Sequence, residues 1–167
     1  AFSYDPKGLL DTIDFPGGAA TDLDYGYYAD DLLQSLTRPV SGVSTAFSQF
    51  ASGPVQQITV SNSSSELHDL LYPASTGYDA NWNVTRIDES VDGTPVASPA
   101  TYGYDGFDRL IDPSLPGLYG QTTSESWTYD DAGNRDETAS PGSYTYDSND
   151  RLRTLPGKTY HYDPDGN

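Results

Sequence analysis

The stretch that decides the fold is Trp127-Thr128-Tyr129-Asp130-Asp131-Ala132-Gly133-Asn134-Arg135. Its alternation places Trp127 and Tyr129 on one face of a β-strand, because side chains two residues apart point to the same side. Asp130 can accept hydrogen bonds from backbone N–H groups two or three residues further on, and Gly133 can supply the positive φ of a tight turn. The stretch therefore predicts a strand, a turn and a returning strand.

The same pattern returns along the chain, which indicates a repeat protein. The clear copies are anchored at seven tyrosines: Tyr4, Tyr27, Tyr78, Tyr104, Tyr129, Tyr146 and Tyr162. The predicted turn residues that follow these anchors are Asp5, Gly8, Asp79, Asp105, Asp130, Gly133, Asp147, Asp163 and Gly166. An eighth copy, around Phe50, is degraded. One Tyr-Asp pair is common by chance, whereas seven in register predict a repeat architecture.

Positions within a copy are counted here from its anchor tyrosine. Position +6 is apolar in five copies, at Leu10, Leu33, Val84, Leu110 and Leu152. Arg135 stands there in another copy. Aspartate replaces the turn glycine at three +4 positions, Asp31, Asp108 and Asp150, where a positive φ is tolerated at some cost. Arg109 and Arg151 precede the apolar residue, and we expect them to pair with a neighbouring repeat's aspartate or to stack over a tyrosine.

Composition favours an all-β fold. The chain has 14 Tyr, 5 Phe and 2 Trp, and its 16 Gly and 12 Pro supply turns at short intervals. We predict tandem antiparallel β-hairpins in a twisted sheet strip or solenoid-like shell segment. Residues 1–167 should form a single array of about eight repeats, weakest at 41–76. Within that part, Leu67 to Tyr72 fits either a short strand or a single helical turn.

The charge of the chain argues against several classes of partner. With 8 basic and 25 acidic residues the formal net charge is −17, which argues against nucleic acid and disfavours anionic membranes. High acidity keeps a chain soluble or provides loose cation sites. The absence of cysteine excludes disulfides and thiolate metal sites, and no apolar run is long enough to span a membrane. Because methionine is absent and the sequence stops in mid-repeat, we expect an excised or processed segment of a longer chain.

No arrangement of residues in the sequence predicts catalysis. Neighbouring carboxylates such as Asp30 and Asp31 are explained by turn capping, and neither His68 nor His161 lies near a nucleophile motif. The segment 163–167 begins like a calcium loop but lacks the closing glutamate, so we expect no cofactor beyond weak Ca²⁺ binding. Two N-glycosylation sequons, at Asn62 and Asn83, have meaning only in a eukaryotic secretory context.

Four copies resemble the RHS/YD-repeat family, whose consensus is roughly Tyr-x-Tyr-Asp-x-x-Gly-Arg/Asn-Leu. They are Trp127 to Arg135, Tyr144 to Leu152, Tyr102 to Leu110 and Tyr160 to Asn167. The resemblance implies a long β-sheet strip that spirals into a hollow shell, as in bacterial RHS and toxin-complex proteins and in the teneurins. Some of these shells enclose a polypeptide toxin. The family's self-cleaving aspartate motif has no match in this sequence, so the resemblance does not imply autoproteolysis.

Three functions remain open at this point. The first is a non-catalytic wall segment of a secreted or cell-surface shell that encloses or presents a polypeptide. The second is an extracellular filament subunit joined head to tail through its edge hairpins, since the last anchor strand, predicted from Lys158 to Asp163, contains no proline to protect it. The third is a surface module that binds glycan or protein. The expected partners are flanking repeats or identical copies at the sheet edges, then an enclosed polypeptide or cell-surface glycan, without nucleic acid or membrane insertion.

Overall fold

The computed structural model describes residues 1–17, 21–115, 123–124, 126–138 and 144–166. All of the regular secondary structure in these residues is β, in seventeen strands without a helix. The paired strands run antiparallel, so the predicted all-β fold of antiparallel hairpins is confirmed. The part of the chain that the structure describes contains no helix long and apolar enough to cross a membrane.

Contacts divide the chain into two compact units, Ala1–Pro99 and Ala100–Asn167. In the first unit each strand pairs with the next one in sequence. Its strands are β1 (Phe2–Tyr4), β2 (Leu10–Ile13), β3 (Leu23–Tyr27), β4 (Leu33–Arg38), β5 (Val43–Gln49), β6 (Val55–Ser61), β7 (Glu66–Leu71), β8 (Arg86–Val91) and β9 (Thr94–Pro95). Between β7 and β8 an isolated bridge joins Tyr78 to Val84.

The second unit contains three groups of paired strands. The first group is β10 (Ala100–Tyr104), β11 (Leu110–Leu115) and β12 (Thr123–Ser124), the second is β13 (Trp127–Tyr129) and β14 (Arg135–Thr138), and the third is β15 (Thr145–Tyr146), β16 (Leu152–Leu155) and β17 (Lys158–Thr159). The prediction of a last strand from Lys158 to Asp163 is wrong, because β17 ends at Thr159. Tyr160 N–H still donates to the Arg153 carbonyl, but no described strand pairs with the residues beyond it.

The stretch 41–76, where the repeat pattern is weakest, forms regular strands. Leu67 to Tyr72, which fitted either a strand or a helical turn, lies mainly in β7. The degraded copy has Gln49 at its anchor position, because Gln49 pairs with Val55 beside a β-bulge as Tyr27 pairs with Leu33. Phe50 therefore stands at +1, where all other copies except that of Tyr27 have aspartate. The missing aromatic anchor explains why the sequence pattern is weak here.

One turn geometry recurs along both units. In each described copy the residue at +4 has a positive φ, and the anchor usually pairs with the +6 residue beside a bulge. The +4 residues are Gly8, Asp31, Gly53, Trp82, Asp108, Gly133, Asp150 and Gly166. Trp82, at φ 67°, is the exceptional member, because bulky side chains rarely adopt the left-handed region. The turn geometry is thus kept even where the residue type opposes it.

Little of the structure is a closed core. Among the described residues no Val, Leu, Ile, Phe, Tyr or Trp side chain is buried, and Ala100 is the one core residue of hydrophobic type. Most of the larger apolar side chains are half-buried. Stability must therefore come from contacts between successive hairpins, as in other repeat proteins.

The positive φ at +4 generates a matched pair of substitutions in the second unit. Gly133 has φ 88°, whereas Gly106 lies in the preceding turn outside the left-handed region, and a Cβ at Gly106 would meet nothing within 4 Å. We expect Gly133→Ala to lower the free energy of unfolding by about 1–2 kcal/mol, and Gly106→Ala to leave it nearly unchanged. Urea denaturation measures both, and equal losses would contradict a specific requirement at +4.

Candidate functional site along the hairpin turns

A single aspartate organises each typical turn, and Asp130 shows how. Its Oδ1 accepts the N–H of Ala132 at 3.0 Å and that of Asn134 at 2.8 Å. The N–H of Gly133 instead donates to the Asp130 carbonyl at 3.0 Å. The expectation that the carboxylate binds N–H groups two or three residues on is therefore corrected to two and four, because the intervening N–H closes the backbone turn.

The same pair of bonds, to the N–H groups two and four residues on, recurs in four other turns, at Asp5, Asp79, Asp105 and Asp147. Asp163 accepts the N–H of Asp165 at 3.0 Å. In two copies a ring replaces the carboxylate, since Tyr28 and Phe50 stand at +1. There backbone bonds close the turn without a carboxylate at +1, such as Phe50 N–H to the Pro54 carbonyl at 2.9 Å. The turn shape is thus independent of the carboxylate, which adds further bonds to it.

Hydrogen bonds to these carboxylates favour their charged form. The Arg151 side chain and the Asn149 N–H lower the pKa of Asp147 from 3.8 to about 2. The side-chain amide of Asn83 lowers the pKa of Asp79, and the Asn134 N–H lowers that of Asp130. Asp79, Asp130 and Asp147 are therefore anionic at neutral pH and act as acceptors.

Five anchor tyrosines bond to the copy before their own, a link that the sequence did not reveal. The Tyr27 hydroxyl donates to the carbonyl of Leu10, the +6 residue of the preceding copy, at 2.8 Å. The equivalent bonds are Tyr78 to Val55, Tyr129 to Leu110, Tyr146 to Arg135 and Tyr162 to Leu152, at 2.7 to 2.8 Å. Tyr4, the first anchor, is 63% exposed. The signal in the sequence was the choice of tyrosine rather than phenylalanine at every clear anchor, because only tyrosine supplies a hydroxyl.

Arginines connect a turn to the anchor of the next copy. Arg109 Nε donates to Asp105 of its own turn at 2.7 Å, and its guanidinium lies 4.4 Å from the Tyr129 ring centroid. Arg151 contacts Asp147 and the Tyr162 ring in the same way, with its guanidinium 4.6 Å from the ring centroid. Each arginine thus pairs with the aspartate of its own turn rather than with one from a neighbouring repeat.

These contacts form part of a row that we call the turn seam, defined as the contacts between the +3 or +5 residue of one copy and the next copy's turn. Lys7 at +3 contacts the carboxylate of Asp31 and, at 3.2 Å, the carbonyl of Ala29. Asn134 at +5 donates to Asp150 at 3.1 Å. Arg109 and Arg151 lie beside the +4 glycines of the next copies, Gly133 and Gly166. We call each junction between one copy and the next a step. At these four steps the seam contains a cationic side chain or a side-chain amide.

Two consecutive steps of the seam in the first unit are clefts instead. One, of about 430 Å³, is lined by Tyr28, Ala29, Asp30, Leu32, Ser48, Gln49, Phe50, Ala51 and Gly53. The other, of about 360 Å³, is lined by Phe50, Ser52, Ala74, Tyr78, Asp79, Ala80 and Trp82. The +5 residues at these steps are Leu32 and Pro54. Neither side chain has a group that could cross the seam as arginine does.

Among the described residues, His68 is paired with a carboxylate rather than with a nucleophile. His68 Nε2 contacts the carboxylate of Glu89, while the nearby Ser90 hydroxyl donates to Glu66 Oε1 at 2.6 Å, so this serine and histidine do not form a nucleophile–base pair. His161 is exposed. In the described ranges no three His, Asp or Glu side chains lie close enough together to hold a metal ion. Of the two sequon asparagines, Asn83 donates its amide N–H to Asp79 at 3.0 Å.

Comparison with solved structures finds the same fold in toxin complexes. A crystal structure of a TcdB2–TccC3–Cdc42 complex contains a chain that matches 99% of this one with a TM-score of 0.70 and 18% identity. A Photorhabdus luminescens Tc holotoxin pore, with a substitution in TccC3, matches 99% with a TM-score of 0.68 and 18% identity. This chain covers 11% and 10% of those chains. No protein-family model and no curated protein matches the sequence.

The lowered pKa of Asp147 predicts acid sensitivity. A carboxylate with a folded-state pKa of about 2 contributes stability above its ordinary value of 3.8, and this contribution is lost as the pH falls towards 2. Asp147→Asn keeps an oxygen that can accept the turn N–H groups but removes the charge next to Arg151. We expect the gap in melting temperature between wild type and Asp147→Asn to be largest at neutral pH and to shrink from about pH 4 to about pH 2. A gap that stays constant over this range would contradict the prediction.

Proposed function

We propose that this chain is a non-catalytic wall segment of a larger, secreted or cell-surface shell of YD-type repeats, which encloses or presents a polypeptide. The observation that carries the proposal is the repeated bond from an anchor tyrosine to the preceding copy's +6 carbonyl. Such a bond allows hairpins to be added one after another without a closed core. A wall of any length can be built in this way.

The toxin-complex structures support the same proposal. Nearly the whole chain, 99%, superposes on a tenth of much longer chains. This is the relation expected of a segment within an extended wall. The likeness to these structures supports the wall architecture. That the wall encloses or presents a polypeptide is proposed from the resemblance of the repeat motif to the RHS/YD family.

The side chains that repeat most regularly are engaged in building the wall. The turn aspartates accept backbone N–H groups, and the anchor hydroxyls donate to carbonyls. Arg109 and Arg151 each contact a turn aspartate and an anchor ring. A catalytic acid or base needs an atom that can exchange a proton with substrate. The repeated residues thus support a structural role.

A second candidate function is a filament whose subunits join at their sheet edges. The unpaired outer edge of β1 favours it. No described strand pairs with its outer edge, and Phe2 is 66% exposed. The Asp14 N–H donates to the Ala1 carbonyl, so antiparallel alternation points the N–H of Phe2 outward. An identical copy could pair there, and a contact that does not close into a ring builds a fibre.

Light scattering and negative-stain microscopy of the purified chain separate the two candidates. A wall segment should give small or irregular particles, and neither Phe2→Pro nor Phe2→Ala should change them. Fibres with a constant axial repeat that disappear in Phe2→Pro but persist in Phe2→Ala would overturn the wall proposal in favour of the filament. The alanine variant is the matched control because it loses the same ring but keeps the N–H. Specific binding on a glycan array would instead indicate the surface-binding module.

A further inference from the structure

The smaller seam cleft occupies the place that arginine fills elsewhere in the same chain. Arg109 lies between its own turn and two groups of the next copy, the anchor ring of Tyr129 and the +4 residue Gly133. The cleft is likewise lined by its own turn, through Phe50 and Ser52, and by the next copy's anchor and +4 residue, Tyr78 and Trp82. At the +5 position, from which Arg109 reaches across, this copy has Pro54.

The cleft walls have the chemistry that binds an organic cation. Tyr78 stands edge-on to Phe50, with ring centroids 6.2 Å apart and an interplanar angle of 85°. Trp82 stands at 67° to Tyr78 with centroids 6.0 Å apart. Tyr78 also stacks on Tyr72, with ring centroids 5.5 Å apart and an interplanar angle of 17°, so one of its faces is covered. A cation held over a ring face of Phe50 or Trp82 would be attracted by the ring's quadrupole.

Charge favours a cation over a neutral ligand. Asp79 lines the cleft, and hydrogen bonds from Asn83 lower the pKa of its carboxyl, which is therefore ionised. Both carboxylate oxygens already accept hydrogen bonds within the turn, so Asp79 contributes its charge rather than a dedicated ligand atom. The net charge of −17 adds long-range attraction.

Trp82 is placed in the cleft at a conformational cost. Its φ of 67° lies in the left-handed region, where the equivalent residues of other copies are glycine or aspartate, and 53% of its surface remains exposed. Backbone strain of this kind persists where the surroundings or a function maintain it. A ring that is held in a strained conformation and yet half exposed is available to a ligand.

We propose that the cleft between Phe50 and Trp82 binds the guanidinium group of an arginine side chain supplied by another polypeptide. Within this chain the guanidinium groups of Arg109, Arg135 and Arg151 lie 4.0 to 4.6 Å from aromatic ring centroids. The cleft provides aromatic rings of the same kinds, and no arginine is among the residues that line it. This proposal does not depend on the wall function, because it rests only on the geometry of the turn seam.

Titration with N-acetyl-arginine amide, followed by NMR of the indole N–H signals, tests the site on the intact chain. We expect the Trp82 signal to shift and saturate with a dissociation constant on the order of millimolar. The Trp127 signal is the internal control, because the Arg135 guanidinium already lies over that ring at 4.0 Å, and it should not shift. N-acetyl-citrulline amide has nearly the same shape without the charge, and we expect it to bind about tenfold more weakly.

Two variants separate binding from folding. Trp82→Gly supplies a residue that other copies have at +4. Because it also removes the indole reporter, binding to this variant is followed by the backbone N–H signals of Phe50 and Asp79, and the affinity should fall about tenfold through loss of one aromatic wall. Pro54→Arg restores the chain's own guanidinium at +5 and should block the probe while keeping every wall of the cleft. Equal affinity for the arginine and citrulline probes would overturn the proposal, as would undiminished binding by a folded Pro54→Arg variant. Tighter binding of choline than of the arginine probe would overturn the assignment to arginine.

Discussion

The bond from an anchor tyrosine hydroxyl to the +6 carbonyl of the preceding copy is the interaction on which the rest of the structure depends. The described residues contain no buried aliphatic or aromatic side chain larger than the proline ring, so no closed core holds the copies together. At Tyr27, Tyr129 and Tyr162 the hydroxyl satisfies a carbonyl of the copy before it. The ring packs between the two copies at the same time. At these three tyrosines one side chain thus makes both a polar bond and an apolar contact.

The turn sets where that tyrosine stands. The left-handed residue at +4 and the bulge beside the anchor bring the +6 residue opposite the anchor, as Leu110 lies opposite Tyr104. This geometry is kept while its chemistry varies, because glycine, aspartate and even Trp82 occupy +4. The residue type also varies from copy to copy at +3 and +5, the positions whose side chains define the turn seam. The backbone geometry of the turn is therefore constant, whereas the side chains of the turn seam differ from one step to the next.

Much of the fold could be predicted from the sequence because the repeat signal comes from short-range turn chemistry. The Tyr-Asp pairs and turn glycines indicated the hairpins, and the pairing of strands next to one another in sequence followed from them. The identity of the partners across copies could not be predicted, since Tyr78 and Val55 are 23 residues apart and nothing local relates them. The anchor at Gln49 was missed for the same reason, because only its pairing with Val55 reveals it. The seam clefts depend on the absence of a long side chain at Pro54 and Leu32, which becomes visible only when adjacent turns are aligned in space.

The central claim, that tyrosine hydroxyls join successive copies, is tested most directly by removing single hydroxyls and measuring the free energy of unfolding in urea. Tyr27→Phe and Tyr129→Phe each leave a carbonyl of the preceding copy without its donor, and each should cost about 1 kcal/mol. Tyr4→Phe is the matched control, because Tyr4 is an anchor with the same turn after it but is 63% exposed and has no described copy before it. The account predicts almost no loss for Tyr4→Phe. Equal losses at all three tyrosines, or no loss at Tyr27 and Tyr129, would contradict it.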